Sequence, residues 1–126
     1  MKRVKFKLDC GHQVSAKVRI IHMENGGVVT IVPAKFPSMC QILYNKQNTP
    51  HFILWDVREL ENSYGREVRG KSFCLPEDEY DENLGIEIAK TRLQTKMNEM
   101  INNRLRKVRK DVENTLANKL FHLEGI

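Results

Sequence analysis

From Asp81 to Phe121 the chain runs without a proline, and Leu84, Ile88, Leu93, Met97, Ile101, Leu105, Val108, Val112, Leu116 and Leu120 recur along it at mostly three- and four-residue steps. That spacing returns apolar side chains to one side of an α-helix. Asp81 is of the type whose carboxylate accepts from the first-turn N–H groups, so it marks a start. The segment predicts one long helix, or two in sequence with a break near Asn102-Asn103; Gly85 is the other weak point. A continuous version would reach roughly 60 Å, longer than a small sheet can cover. Part of its apolar stripe then needs another surface, and a homo-oligomer supplies one most simply.

The residues before Pro76 follow a different period. Val4, Phe6 and Leu8 alternate with Arg3, Lys5 and Lys7, and Val14, Ala16, Val18 and Ile20 alternate with Ser15, Lys17 and Arg19. Period-2 alternation predicts half-buried strands, here joined by a turn at Asp9-Cys10-Gly11-His12. Asn25-Gly26 signals a hairpin into a returning strand over Val28–Val32. Pro33, Pro37 and Pro50 bracket a short helix over Ser38–Asn45 with Met39, Ile42 and Leu43 turned inward. His51–Val57 and Arg66–Leu75 predict two further strands around a loop at 61–65. The expected fold is α+β: an N-terminal antiparallel sheet of about five strands followed by one or two long C-terminal helices. At 126 residues this is a single domain, with a β-rich part over 1–76 and a helical part over 77–126 used for oligomerisation and ligand contact.

The chain contains no apolar run near the roughly 20 residues that span a bilayer, and its basic start is followed by alternation rather than a signal peptide's apolar block. Cytoplasmic residence without membrane attachment is expected. Three cysteines at irregular spacing predict free thiols rather than a disulfide framework. The net charge of +5 divides as +3 over residues 1–80 and +2 over 81–126, which permits an anionic partner without demanding one.

Chemistry-bearing residues are few. Arg104-Leu105-Arg106-Lys107-Val108-Arg109-Lys110 holds five cations and no acid. Measured from Leu105, Arg109 lies only about 40° round the helix, so it is expected to leave the water-facing side. Arg106, three residues before it, can converge with it on one phosphate through the guanidinium fork. A solvated basic face explains the same run. Trp55 and Phe73, with Arg58 and Lys71 close by, mix aromatics and cations in a way that can stack a base and neutralise a phosphate, although core packing explains a lone aromatic equally. The acids from Glu77 to Glu82 fit a helix N-terminus, and Asn83 on the first turn can support the cap or bond a ligand. Cys10 and His12 with Cys40, Cys74 or His51 lack the paired spacing of a zinc site. There is no Walker loop, Gly-x-Gly-x-x-Gly or His-Glu-x-x-His. No catalytic pair, metal or cofactor is expected.

The run from Gly70-Lys71-Ser72-Phe73-Cys74-Leu75-Pro76 through Glu77-Asp78-Glu79-Tyr80-Asp81-Glu82-Asn83-Leu84-Gly85, then Ile88-Ala89 and a basic helix, resembles phage proteins of the Thoeris anti-defence sponge family. The resemblance implies an oligomer in the bacterial host cell that binds glycocyclic ADP-ribose, the signal made by TIR-domain enzymes, and holds it unchanged so that the effector stays off. Some members also bind cyclic oligonucleotides at separate sites. Carried over by position, Phe73 would stack on the adenine, Asn83 would bond the ligand at the helix start and Arg109 would meet the phosphates. Arg58, Arg106 and Trp55 are candidates from the residue pattern instead. Three rivals stay open: a nucleic-acid-binding protein using the basic helix, an enzyme cleaving a cyclic nucleotide, and an assembly protein whose helix serves only to oligomerise.

Overall fold

The computed structural model describes residues 2–45 and 61–124. Its strands are β1 (Arg3–Lys7), β2 (Gln13–Lys17), β3 (Arg19–His22), β4 (Val28–Lys35) and β5 (Glu67–Cys74), with helices α1 (Met39–Asn45) and α2 (Glu82–Glu124). The α+β class and the long C-terminal helix agree with expectation. The five strands do not form one sheet. They divide into a β1–β2 hairpin and a three-stranded antiparallel sheet ordered β3–β4–β5. The expected strand over His51–Val57 lies outside the described residues.

The division falls inside the segment 14–20, whose unbroken alternation predicted a single strand. Val14, Ala16 and Val18 are all buried, so the side-chain period runs straight through. The hydrogen-bonding partner nevertheless changes. The Val18 N–H donates to the Lys2 carbonyl at 2.9 Å, closing the hairpin, and Arg19 then pairs with Ile31. Pro33 explains why the second ladder stops there. The Met23 N–H donates to the Gly27 carbonyl at 2.8 Å, and stepping two residues at a time from that pair makes Lys17–Pro33 the next hydrogen-bonded position after Arg19–Ile31. Proline has no N–H to give. On its other side β4 continues past Pro33, pairing with β5 as far as Lys35–Glu67.

Helix α1 is short and held at its start by two side chains. The Ser38 hydroxyl accepts from the Gln41 N–H at 3.3 Å, and the Glu61 carboxylate accepts from the Cys40 N–H at 2.8 Å and from the Ser38 hydroxyl at 3.1 Å. Met39, Ile42 and Leu43 are buried, as their spacing predicts.

Helix α2 is continuous for 43 residues, with no break at Asn102-Asn103. Asp81 caps it, its carboxylate accepting from the Leu84 N–H at 3.2 Å. The buried line runs through Ile86, Ala89, Leu93, Met97, Ile101 and Val108; Leu84 is 57% exposed and Ile88 also faces outward, contrary to the expected stripe. Small residues cause the shift. A Cβ on Gly70 would stand 2.0 Å from the Ala89 carbonyl oxygen, so β5 and α2 touch backbone to backbone. Nearby, the Ser72 hydroxyl donates to the Gly85 carbonyl at 2.8 Å. Contact between Gly70 and the helix backbone at Ala89 sets the helix's rotation, and a pattern built on large apolar residues does not see it. The far flank of α2 grips the hairpin: Gln94 donates to the Lys7 carbonyl at 3.1 Å, and Asn98 accepts from the Asp9 N–H at 3.0 Å. One helix thus closes a core shared by both sheets.

Candidate functional site

Where β5 ends and α2 begins, Phe73, Tyr80, Asp81, Leu84 and Ile88 line a cleft of about 190 Å³ floored by Val28, Thr30 and Ser72. Phe73 alternates with buried Ser72 on edge strand β5, and its register partner is Val29, which pairs in turn with Ile21. Phe73 therefore turns its ring to the outer face of the sheet, away from the core and α2, and is 66% exposed. Burial of the Phe73 ring would remove a large apolar area from water, so the exposed ring favours a flat apolar partner. Asn83 is also exposed and sits between the cleft residues Asp81 and Leu84 on the first turn of α2. Tyr80 adds a feature that no sequence pattern flagged. Its ring meets His22 edge-on at 6.0 Å, while its buried hydroxyl has no hydrogen-bonding partner among the described residues. An unsatisfied hydroxyl beside an open cleft is a ready donor or acceptor for a bound molecule.

The arginines lie elsewhere. Arg109 is 26 residues beyond Asn83 on the same continuous helix, about 39 Å along its axis, and Arg106 is only one turn nearer. Within one protomer they cannot meet a ligand seated at Phe73. Nor does Arg109 leave the water-facing side: its side chain is 81% exposed and its Nε donates to Glu113 at 3.2 Å. The expectation measured its angle from Leu105, a half-buried flank residue. Taken from the centre of the buried line, Arg109 is about 140° away and Arg106 further still. The arginine that turns inward is Arg104, whose Nη2 donates to the hydroxyl of buried Ser63 at 2.6 Å. Trp55 and Arg58 lie outside the described residues.

The three cysteines form no disulfide and are half-buried. Burial pushes the Cys40 thiol above its ordinary value, and its hydrogen bond with Glu61 and that carboxylate's charge push it the same way, so Cys40 is poorly disposed to act as a thiolate. Among the described residues no three His, Cys, Asp or Glu side chains converge as a metal site would require, and no helix is long and apolar enough to cross a membrane. Comparison of the chain with known protein families, with curated proteins and with solved structures finds no match.

Proposed function

We propose that this protein binds a cyclic nucleotide immune signal of the glycocyclic ADP-ribose type and holds it intact, so that an effector awaiting the signal is not switched on. The observation that carries the reading is the unpartnered Tyr80 hydroxyl at a cleft beside the first turn of α2, where Asn83 lies, together with the exposed Phe73 ring on the edge strand that borders it. An aromatic face suits adenine, and the amide and hydroxyl suit ribose and base edges. The cleft of about 190 Å³ matches a base rather than a whole dinucleotide. The phosphates therefore extend beyond it, towards cations that the same protomer's Arg106 and Arg109 are too distant to supply. A second copy whose α2 lies alongside can bring them, which ties capture to the homo-oligomer expected from the length of the helix. Desolvation between two protomers would also strengthen arginine–phosphate contacts.

The test is to incubate purified protein with glycocyclic ADP-ribose, remove unbound ligand by filtration, denature the protein with heat and identify what is released by mass spectrometry. Depletion followed by recovery of the unchanged molecule supports sequestration, and Phe73→Ala should lower the captured amount at least tenfold. Recovery of an altered product would replace the reading with catalysis, and a failure to deplete would remove this ligand class.

A further inference from the structure

The change of sheet at Val18 does more than divide the strands. Because Lys17 cannot pair with Pro33, β2 leaves β4 and the two sheets part, opening a groove of about 1070 Å³ along β2, β3 and the end of β4. Four strands each contribute one cation to its walls: Arg3 from β1, Lys17 from β2, Arg19 from β3 and Lys35 from β4. Pro33 and Ala34 supply apolar surface between them.

Several cations elsewhere on the molecule are neutralised by a neighbouring acid. Lys2 pairs with Glu82, Arg69 with Glu67, Lys90 with Glu87 and Arg109 with Glu113. Among the described residues, none of Arg3, Lys17, Arg19 and Lys35 has a carboxylate within ion-pairing distance; Arg3 donates only to the Ser15 hydroxyl, at 3.4 Å. Glu67, the one acid on the groove, has a carboxylate oxygen already held by Arg69 at 2.6 Å. The groove therefore concentrates unneutralised positive charge along a concave, partly apolar surface. Like charges brought this close repel one another, and a chain of phosphates relieves that repulsion at several points together while releasing its own counterions.

We infer that this groove is a binding site for single-stranded nucleic acid, with the four cations following the phosphodiester backbone and the apolar surface meeting the bases. A single strand is favoured over a duplex because the cations sit on the walls of a depression that a narrow, flexible chain can enter, with apolar area for unstacked bases. The site is separate from the Phe73 cleft and does not depend on what that cleft binds.

The experiment is fluorescence anisotropy with a 5′-labelled oligodeoxythymidylate 12-mer, titrated with the full chain between about 50 and 200 mM salt, with a 12-base-pair duplex as comparison. Binding should be tighter to the single strand and should weaken with salt. The double variant Lys17→Ala/Arg19→Ala should weaken it at least tenfold and flatten the log–log salt slope by about 1.4, two phosphate contacts' worth for a single strand. Lys35→Ala, on a different strand of the other wall, should weaken it severalfold, so the inference does not rest on one variant's folding. Lys110→Ala on α2 should leave it unchanged. No binding at the lowest salt, preference for the duplex, or loss of binding confined to the α2 variant would overturn the assignment. Retention of glycocyclic ADP-ribose by the Lys17→Ala/Arg19→Ala variant, measured in parallel, separates the two sites.

Discussion

Replacing Gly70 with alanine adds one methyl group at the point where β5 and α2 lie closest. The new Cβ would stand 2.0 Å from the Ala89 carbonyl oxygen, 2.6 Å from the Leu93 backbone nitrogen and 2.8 Å from the Leu93 Cβ. Ordinary contact begins near 3.4 Å, so the nearest atom is about 1.4 Å too close. Two of the three obstacles are helix backbone, which no rotamer change can move, so α2 must shift bodily from the sheet. The gain from restricting the unfolded chain is about 0.4–1 kcal/mol. Against it stand an overpacking cost of about 1–3 kcal/mol and the loosened packing of fully buried Leu93 and Met97 on the same helix face, which carries the balance to about 3–5 kcal/mol of destabilisation. That is a large share of the roughly 5–15 kcal/mol that holds a typical domain together. Urea unfolding followed by circular dichroism should show a much lower midpoint. Gly85→Ala is the control, because its Cβ would meet the Thr30 hydroxyl at 3.1 Å and the Ser72 hydroxyl at 3.5 Å, both side-chain tips, while helix propensity improves by about 1 kcal/mol. Its midpoint should stay near that of the parent. If Gly70→Ala behaved like Gly85→Ala, the close strand–helix approach would be wrong.

Three further outcomes follow from single contacts. Arg104→Ala should destabilise the protein by about 1.5–3 kcal/mol through loss of the charged hydrogen bond to buried Ser63, whereas Arg109→Ala, which removes one exposed ion pair, should change stability by less than about 0.5 kcal/mol; comparison of urea midpoints decides both. If phosphates reach Arg109 of a second copy, Arg109→Ala should still cut capture of glycocyclic ADP-ribose, and an undiminished yield in the filtration assay would remove Arg109 from the site. The raised Cys40 thiol means that the folded state holds its proton more tightly than the unfolded chain, so this contribution to stability is complete below pH 9.0 and is lost as pH rises towards the higher folded-state value. Cys40→Ala should remove that part of the alkaline loss, and in the parent chain iodoacetamide should label Cys40 only slowly at pH 8.

Side-chain period was a good guide wherever large residues do the packing. The alternation of Val4, Phe6 and Leu8 and the spacing of Met39, Ile42 and Leu43 identified residues that are half or fully buried, and Asp81 marked the start of α2. The division into two sheets was hidden because alternation records which way a side chain faces and not which strand its backbone bonds. Pro33 was the available signal, read for where a strand should end when it in fact ends pairing on one side only. The rotation of α2 was hidden for a different reason: Gly70 and Ala89 decide it by being small, and their weight appears only when two backbones are brought together. At the candidate site, Phe73 lines the cleft where β5 ends, and Asn83 lies ten residues on, on the first turn of α2 beside the lining residues Asp81 and Leu84. Helical periodicity placed Arg109 by a neighbour at the margin of the stripe, and the error grew with distance from the stripe's centre. The Tyr80 hydroxyl carries no pattern at all, since its lack of a partner exists only in three dimensions.

The grip of Gln94 and Asn98 on the hairpin joins residues 87 and 89 positions apart in the chain. As the protein is synthesised, β1 and β2 emerge well before α2, with Phe6, Leu8 and Val14 on a face that α2 later closes. Completion of this core therefore waits on α2, and contacts of such long sequence separation slow folding relative to a helical bundle of equal size. Through that interval the nascent hairpin carries Arg3, Lys5, Lys7 and Lys17 on its outward positions, and their mutual repulsion discourages one unfinished chain from pairing with another.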